Sequence, residues 1–340
     1  MSIKKLHHLK EELIENNTVD QDVYSKYDVK RGLRNKDGSG VLAGLTKISA
    51  VVGSKIIDGD SVPVDGILKY RGLSLIDLVA ELEKTNKPAF ETAIFLLLVG
   101  RMPTSDEFDS LVSIMKSERQ IPDGILNNII KGIPSKDVMN KLQTSISALY
   151  AYDEDPDSVE PFENFEKAIK ILAKLPTIIA YSYLAAFKPN ATFIEPPKSG
   201  STAESFLTIL REGKAPSKLE IELLDLCLVL HTEHGGGNNS TFTTYVVTSS
   251  ASDFYSTLTA SCGSLKGPLH GAANKKVSEM MNDIKANISS LTDKTELENY
   301  VLKILNKEVH DKSGKIYGLG HAVYTKSDPR AIVLKEHAKA

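Results

Sequence analysis

Four of the eight histidines lie in glycine-rich breaks beside apolar segments, where imidazole chemistry would be useful. His231 and His234 end an apolar run that begins at Leu226, and three glycines follow at once. His270 stands in the segment GPLHGAAN, and His321 stands in YGLGHAVYTKSDPRA. Histidine titrates near neutral pH, so it can donate or accept protons there. Glycine lets the backbone turn sharply and approach a ligand closely. The constellation predicts an active site.

The first pair of histidines admits three interpretations. Cys227, His231 and His234, with Glu233 between the histidines, could hold zinc. Against zinc, the glycines break the helix directly after His234, no HExxH pattern exists, and no further cysteine or carboxylate cluster lies near in sequence. Alternatively, His231 and His234 are structural histidines bonded to backbone carbonyls. For His231, the sequence favours neither this interpretation nor contact with a ligand. For His234, beside a Gly-Gly-Gly-Asn turn, the sequence favours ligand contact.

His270 precedes a predicted helix, AANKKVSEMMNDI. The positive end of a helix dipole favours the neutral imidazole. A neutral imidazole can donate a hydrogen bond to a developing enolate without being charged itself. The alternative is a histidine that only caps the helix.

The last histidine stands beside a possible ligand loop. Gly318 and Gly320 flank Leu319 just before His321, and such a backbone could lie against a flat ligand. Arg330, directly after Pro329, could clamp a carboxylate with two parallel hydrogen bonds. This segment is therefore a second candidate binding element.

The elements that must position these residues are predicted to be almost all helical. Helix starts are marked by Ser/Thr followed three residues later by an acidic residue, a pattern typical of the capping box. These pairs are Ser74 with Asp77, Thr104 with Glu107, Ser201 with Glu204, and Ser217 with Glu220. Further helices are expected near 90–99, 122–132, 136–151 and 161–187. The segment KIIDGDSVPVDGILKYRG, with two Asp-Gly pairs between apolar residues, predicts a small hairpin, the one convincing β element.

The helix opened by Ser217 explains how the first two histidines reach the interior. Apolar and charged residues alternate in its first turns, whereas no charge occurs from Leu226 until Glu233. The helix is therefore expected to start at the surface and to deliver His231 and His234 to a buried or cleft position. The Ser/Thr/Ala-rich segments that follow allow close helix packing, which would suit a tight dimer or a bundle core.

Composition excludes several classes of protein. The chain has 340 residues, 41 % hydrophobic and 25 % charged, with a net charge of −3, which offers no electrostatic case for nucleic acid or an anionic membrane. The two cysteines, Cys227 and Cys262, are expected to be buried free thiols. The N-terminus lacks a signal-peptide apolar core, and the longest apolar run, 93–99, is far short of a membrane span. A cytoplasmic protein is the default expectation.

Taken together, LHTEHGGGNNSTF, GSLKGPLHGAAN and YGLGHAVYTKSDPRA resemble citrate synthases. GVLAGLTKIS, LKYRGLSLIDLV and FETAIFLLLVGRMPTSDEF add to the resemblance, which covers nearly the whole chain in order. It implies an all-α fold with a minor β hairpin near the N-terminus. A large helical domain would span 1–270 and part of a small domain 271–340. The family is typically homodimeric.

The resemblance also implies a reaction and its residues. Citrate synthases are acyltransferases of the tricarboxylic acid cycle: they condense acetyl-CoA with oxaloacetate and hydrolyse the citryl-CoA formed, with no metal or cofactor. By resemblance, His270 would stabilise the enol of the acetyl group and His321 would polarise the oxaloacetate carbonyl. His234, His321 and Arg330 would hold oxaloacetate. The backbone of the loop would recognise the adenine of CoA, through Ile316, Tyr317, Gly318, Leu319 and Gly320.

Two departures from the family pattern are visible. Leu319 replaces what is more often an aromatic or small residue. The family's third catalytic group, an aspartate several dozen residues beyond the GxGH histidine, has no counterpart among these 340 residues. These positions predict a C-terminally truncated member, so an inactive fragment that binds CoA or oxaloacetate is one alternative. The other is a 2-methylcitrate synthase that uses propionyl-CoA, since one methylene changes binding by only about 1–3 kcal/mol.

Overall fold

The computed structural model describes most of the chain, and the helices and strands whose bounds are given below fall within residues 45–338. Described residues are Lys26, Leu33, Asn35, Val41 and 45–338 without Asn86, Leu269, Ala272 and Ala322. The chain divides into the units Met1–Gly44 and Leu45–Ala340, and the second unit contains the sheet and every candidate site residue. The helix predicted in the first 30 residues lies almost wholly outside the described residues. The domain boundary expected near residue 270 stays a prediction.

A small antiparallel sheet opens the second unit, in the order β1 (Ser49–Ile57), β2 (Asp60–Tyr70) and β3 (Leu73–Ser74). Asp58 and Gly59 form the turn between β1 and β2, with φ of 52° and 91°. Two successive residues with positive φ are typical of the tight hairpin turn that an Asp-Gly pair favours. The predicted hairpin is therefore confirmed at its first Asp-Gly pair. The second pair, Asp65-Gly66, lies inside β2 and makes no turn.

Helices make up most of the remaining described chain, in agreement with the predicted all-α class. Their bounds are α1 Leu75–Leu82, α2 Ala89–Val99, α3 Ser105–Ser117, α4 Val138–Leu149, α5 Pro161–Phe187, α6 Thr202–Leu210, α7 Lys218–Leu230, α8 Asn239–Thr248, α9 Phe254–Lys266, α10 Ala273–Asn287, α11 Lys294–Leu305 and α12 Pro329–His337. A π-helical segment, Ile125–Lys131, occupies the region predicted as helix at 122–132. A 3-10 segment, Tyr150–Tyr152, extends α4.

Two of the predicted capping boxes form in full, those of Thr104 with Glu107 and of Ser217 with Glu220. Ser201 accepts the backbone N–H of Glu204, which caps α6. Ser74 is the N-cap residue of α1, but its side chain makes no capping bond, so the box predicted with Asp77 is wrong. The physical reason is that Ser74 still pairs with Lys69 in the sheet, and aspartate is one methylene shorter than the glutamate of a regular box.

The core is divided into clusters of buried apolar side chains. One joins β2, α1, α2, α7 and α12, and therefore ties the hairpin to two of the predicted site elements. A second joins α4, α5, α6, α9 and the π-helical segment. A smaller cluster links α2, α3 and α5. The helices α10 and α11 pack on each other through Met280, Ile284, Tyr300 and Ile304.

Helix α5 is long and apolar enough to cross a membrane, and it alone among the described helices meets that test of length and composition. Half of its most apolar window is buried within the protein. Ile169 and Ala173 pack against α2 and α3, while Ile178 and Leu184 pack in the cluster with α4 and α6. Such two-sided burial is typical of the central helix of a packed core.

Helix α7 runs from the surface to the interior, as its sequence pattern predicts. Leu219 is 57 % exposed, whereas Val229 and Leu230 are fully buried. The helix ends at Leu230, four residues before His234, and the three glycines that follow His234 lie in the turn that leads to α8. The core thus fixes the position from which His231 and His234 project.

Candidate active site

His231 is the C-cap residue of α7 and is exposed to solvent. Its Nδ1 lies 2.7 Å from the carbonyl oxygen of Cys227, one turn earlier in the same helix. The same carbonyl also accepts the backbone N–H of His231, so the ring adds a second bond at the end of the helix. This matches the structural interpretation of His231, although the residue is at the surface and not in the core.

The turn that carries His234 is held by the residue before it. One carboxylate oxygen of Glu233, Oε1, accepts the backbone N–H groups of His234 at 3.0 Å and of Gly235 at 2.6 Å. The hydroxyl of Ser49, in β1, donates to the same oxygen at 3.0 Å. Sequence reasoning did not single out Glu233 in this role, because the contacting strand is remote in sequence.

His234, His321 and Tyr324 form an aromatic cluster, so two of the predicted site residues come together. The His234 and His321 rings meet edge to face with centroids 5.0 Å apart. Tyr324 stacks on His321 at 4.8 Å and meets His234 edge to face at 5.5 Å. The Nε2 atom of His234 is buried and has no hydrogen-bond partner among the described residues. A buried polar atom of this kind calls for a partner, which a bound polar ligand can supply.

The backbone sets the tautomer of His321. Its Nδ1 atom accepts the N–H groups of Val323 and Tyr324, each at 3.1 Å. A ring nitrogen that accepts two N–H bonds carries no proton of its own, so the neutral ring holds its proton on Nε2. His321 is thereby arranged to donate one hydrogen bond from Nε2.

Both histidines are electrically neutral at physiological pH. Burial, then the charges of Arg330 and His321, lowers the pKa of His234 to about 4. His321 as a whole is solvent-exposed, but its ring is partly buried. This burial and then the charge of Arg330 lower the pKa of His321, while the charge of Asp328 opposes the shift. A positively charged group close by disfavours a second positive charge. The pair can therefore donate hydrogen bonds without adding charge.

Arg330 lies in the first turn of α12 and is anchored by Asp328. Its Nε and Nη2 atoms donate to the two carboxylate oxygens of Asp328, at 3.0 and 2.7 Å. Asp328 is also the N-cap of the helix and accepts the backbone N–H of Arg330. Burial works against the charge of Arg330, but the bonds to Asp328 outweigh it and raise the pKa of the guanidinium. The side chain is a fixed positive charge beside the two neutral histidines.

The β hairpin supports the loop that carries His321. A Cβ atom on Gly53 would lie 2.0 Å from the carbonyl oxygen of Val323, and one on Gly66 would lie 2.1 Å from that of Ser327. The loop backbone thus approaches both strands more closely than any other residue type allows. The N–H of Gly66 donates to the Ser327 hydroxyl at 3.1 Å. The second Asp-Gly pair of the sequence therefore marks a close backbone approach.

His270 lies against the first turn of α8. Its Nε2 atom is 2.9 Å from the hydroxyl of Ser240, and that hydroxyl is also 3.0 Å from the carbonyl oxygen of Ser261. Ser240 has one proton to give. If that proton goes to His270, the neutral ring keeps its own proton on Nδ1 and can donate from there. Ser240 stands six residues after His234, and sequence reasoning did not identify it.

The predicted site thus falls into two groups in this structure. One contains His234, His321 and Arg330, and the other contains His270 with Ser240. Among the contacts between described residues, none joins His270 directly to His234 or His321. The glycine turn and the N-cap of α8, Asn238, connect the two groups along the chain.

The loop predicted to bind CoA, residues 316–320, is anchored on one side and open on the other. Ile316 and Tyr317 pack against the cluster of α10 and α11, and the Tyr317 hydroxyl donates to Asp311 at 2.5 Å. Gly318 and Gly320 have φ of 88° and 87°. Leu319, between them, is 76 % exposed. The glycines are therefore required by backbone conformation, and the exposed backbone is available to a ligand.

The zinc hypothesis gains no support from the geometry. Among the described residues, no group of three or more His, Cys, Asp or Glu side chains is arranged to hold a metal ion. The His231 ring bonds a carbonyl, and burial raises the pKa of the Cys227 thiol, which disfavours the thiolate that zinc requires.

Cavity volume does not locate this site. Two cavities, of about 630 Å³ and 520 Å³, are lined by residues of α4, α5 and α9 and of the segments beside them. Neither is lined by His234, His270 or His321. The candidate site is defined by convergent polar groups and by the unpartnered nitrogen of His234.

The fold and these groups define a helical enzyme with neutral histidines and a fixed arginine on glycine-rich loops. Residues 36–340 match the family described as "Citrate synthase, C-terminal domain". The chain belongs to the citrate synthase family, a family of acyltransferases.

Named relatives and solved structures agree with that membership. Citrate synthase of Haloferax volcanii is 35 % identical over 92 % of this chain and 74 % of the relative, and citrate synthase 2 of Bacillus subtilis is 36 % identical over 81 % and 68 %. The mitochondrial 2-methylcitrate synthase of Yarrowia lipolytica is 32 % identical over 90 % and 68 %. The crystal structure of citrate synthase from Pyrobaculum aerophilum matches with a TM-score of 0.71 and 29 % identity, over 92 % of this chain and 73 % of that one. A ternary complex of the Thermoplasma acidophilum enzyme with carboxymethyl-CoA and oxaloacetate matches with a TM-score of 0.70 and 26 % identity, over 86 % and 69 %.

Proposed function

We propose that this chain binds oxaloacetate among His234, His321 and Arg330 and condenses it with acetyl-CoA, with hydrolysis of citryl-CoA to citrate and CoA. The observation that carries this proposal is the pair of neutral imidazoles 5.0 Å apart beside a fixed guanidinium. Oxaloacetate is a four-carbon dicarboxylate with one ketone. It needs hydrogen-bond donors for the ketone and positive charge for the carboxylates.

His321 supplies the donor for the ketone. Its proton lies on Nε2 because the backbone occupies Nδ1. When a nucleophilic carbon attacks the ketone carbon, negative charge develops on the ketone oxygen. A donor already in place stabilises that charge without reorganisation. The buried, unpartnered Nε2 of His234 and the guanidinium of Arg330 hold the carboxylates.

His270 acts on the other substrate. If Ser240 gives its one proton to Nε2 and not to the Ser261 carbonyl, the neutral ring donates from Nδ1 to the thioester oxygen as the acetyl group becomes an enol. The methyl proton passes to water in this step, because no contact between described residues places a carboxylate beside His270. The loop of residues 316–320 presents its backbone to the adenine of CoA. Closure of the two groups of residues on each other would exclude bulk water until the carbon–carbon bond has formed.

The direct test is an assay of CoA thiol release by this 340-residue chain with acetyl-CoA and oxaloacetate. Calorimetric titration with oxaloacetate is run beside it. Release together with citrate formation supports the proposal. Binding without release supports the alternative, a fragment that binds CoA or oxaloacetate and does not turn over. Absence of both overturns the assignment of the site.

A 2-methylcitrate synthase is the second candidate, favoured by the Yarrowia lipolytica relative. The two reactions differ by one methylene of the acyl group, worth about 1–3 kcal/mol of discrimination. The ratio of kcat/KM for acetyl-CoA to that for propionyl-CoA decides between them. A ratio above one supports citrate formation, and a ratio below one supports 2-methylcitrate.

Several further properties belong to the same proposal. We infer a homodimer in the cytoplasm, acting in the tricarboxylic acid cycle without metal or cofactor and without nucleic acid or membrane partners. The support is the family and the small side chains of α8 and α9, which allow close helix packing. Sedimentation velocity tests the dimer, and activity that persists after dialysis against a chelator tests independence from metal.

A further inference from the structure

Two residues that face each other across the hairpin both hold the same residue of the site turn. Ser49 in β1 and Tyr70 in β2 are direct cross-strand partners. The Ser49 hydroxyl donates to the side chain of Glu233 at 3.0 Å. The Tyr70 hydroxyl lies 3.2 Å from the backbone carbonyl oxygen of Glu233. The open end of the hairpin therefore holds Glu233 by its side chain and by its main chain.

The Tyr70 hydroxyl lies at the C-terminal end of α7, where the Val229 carbonyl also accepts from the N–H and the hydroxyl of Thr232. Its side chain is fully buried, and its hydroxyl lies 3.0 Å from the Val229 carbonyl oxygen and 3.4 Å from that of Leu230. A helix C-terminus needs donors for these groups. Burial raises the pKa of the phenol, so the hydroxyl keeps its proton and remains a donor. Its one proton is shared among these oxygens and that of Glu233, so the phenol connects the end of the helix to the start of the turn.

Glu233 holds the turn from inside. Its Oε1 atom gathers the N–H groups of His234 and Gly235 as well as the Ser49 hydroxyl. Gly235 is buried and has φ of 82°, a conformation that directs the chain away from α7. One peptide unit joins the Cα of Glu233 to the Cα of His234, and the anchored carboxylate bonds the N–H of that unit. The direction of the His234 side chain therefore depends on the Glu233 anchor.

We propose that Tyr70 and Glu233 are positioning residues that fix the imidazole of His234, and with it the affinity for oxaloacetate. This inference rests on the proposed function of His234. Neither residue touches the aromatic cluster of His234, His321 and Tyr324 as a ring partner. Each acts on the backbone that carries His234, and the buried Nε2 atom is thereby held without a protein partner until a ligand arrives.

The test variant is Tyr70→Phe, which keeps the ring in the core and removes the donor. The matched control is Tyr181→Phe, because Tyr181 is also buried and also donates to a backbone carbonyl, that of Ile194, far along the chain from the site. We expect Tyr70→Phe to weaken oxaloacetate binding about three- to tenfold in calorimetric titration of the 340-residue chain, the equivalent of one neutral hydrogen bond. Both variants are expected to lower the unfolding temperature by a similar amount, but Tyr181→Phe is expected to leave the affinity for oxaloacetate unchanged.

A second readout does not depend on substrate. The ring protons of His234 lie close to the rings of His321 and Tyr324, so their NMR resonance reports the ring's orientation; the resonance is assigned by its loss in His234→Ala. It is expected to shift in Tyr70→Phe and in Glu233→Gln but not in Tyr181→Phe. A Tyr70→Phe chain with unchanged affinity and an unchanged His234 resonance overturns the inference. Failure of the unsubstituted chain to bind oxaloacetate overturns the proposed function, and the resonance then still decides the positioning role.

Discussion

The imidazole rings of His234 and His321 meet edge to face, 5.0 Å apart between centroids, although they come from opposite sides of α8–α11 in the chain. The turn after α7 carries one ring, and the loop before α12 carries the other. The hairpin touches both segments: Ser49 bonds Glu233, and Gly53 and Gly66 lie against the backbone of the loop. The relation of the two rings is therefore a property of the hairpin packing, and it can be tested by changes at each contact.

Arg330→Lys is expected to weaken oxaloacetate binding about 10- to 30-fold. Lysine keeps the charge but cannot hold both oxygens of Asp328, so the charge is no longer fixed beside the histidines. Titration calorimetry measures the effect. Arg211→Lys is the control, because Arg211 makes a similar two-bond pair with Glu220 on the surface; equal losses in the two variants would contradict a role for Arg330 in binding.

Ser240→Ala is expected to lower kcat about tenfold and to leave oxaloacetate affinity unchanged. The substitution removes the hydroxyl that bonds Nε2 of His270, and one hydrogen bond to the reacting group corresponds to roughly 1.4 kcal/mol. Steady-state kinetics separate the two effects. Ser249→Ala, beyond the other end of α8, removes a hydroxyl that bonds only its own helix and should change neither value. A loss of oxaloacetate affinity in Ser240→Ala would contradict the assignment of Ser240 to His270, because it would show that Ser240 acts on oxaloacetate binding.

Gly53→Ala and Gly66→Ala are each expected to destabilise the fold by about 1–3 kcal/mol, as overpacking does. The added Cβ would lie 2.0 or 2.1 Å from a carbonyl oxygen of the loop, so either a strand or the loop must move. Urea unfolding measures the change. Gly237→Ala is the control, since its Cβ would meet nothing within 4 Å. Stabilities equal to that of the control would show that the loop does not rest on the hairpin.

Oxaloacetate affinity is expected to stay constant between pH 8 and pH 6, as far as His234 determines it. The pKa of His234 is lowered to about 4, so His234 gains no charge in this range. Calorimetric titrations at pH 6, 7 and 8 measure the affinity. A tenfold gain at pH 6 would show that a site histidine becomes positively charged there.

The lowered pKa of His234 also predicts a loss of folding stability in acid. The lowered pKa of His234 means that the unfolded chain binds a proton more readily than the folded chain does. The stabilising contribution is complete above the unfolded value of about 6.5 and is lost as the pH falls through about 4. His234→Gln should remove this part of the acid destabilisation, which urea unfolding at pH 4, 5.5 and 7 would detect. Parallel curves for the two chains would contradict it.

Asp225 is expected to act in the opposite direction. Burial, then the charge of Glu91, raises its pKa to about 6, although the N–H groups of Ala89 and Phe90 oppose this by bonding it. Because the folded pKa exceeds the unfolded one, folding favours the protonated acid, and stability is lost as the pH rises from about 4 to about 6. Relative to Asp225→Asn, the unsubstituted chain should lose roughly 2–3 kcal/mol between pH 4 and 7. Asp109→Asn, on the exposed face of α3, is the control. If the unsubstituted chain lost as much stability relative to Asp109→Asn as relative to Asp225→Asn, the effect would belong to a group other than Asp225.

Local sequence determined most of the helical elements and their ends. The capping boxes at Thr104 and Ser217 and the Asp58-Gly59 turn form as their residue types predict. These features depend on contacts within a few residues, so the pattern contains the whole cause. The box expected at Ser74 failed because a strand pairing competes there, and a pairing is not visible locally.

The sequence by itself also determined which side chains are chemically suited to the site, through histidines and an arginine set in glycine-rich breaks, and their motifs identified the family. Tertiary structure alone decided which of them meet. It joined His234 to His321, placed His270 with Ser240, left His231 on a helix carbonyl, and assigned Ser49, Tyr70 and Glu233 to hold the turn. The reason is physical: the tautomer of His321 and the neutrality of His234 arise from backbone donors, burial and a guanidinium that only the folded chain brings together, and no spacing along the sequence encodes these distances.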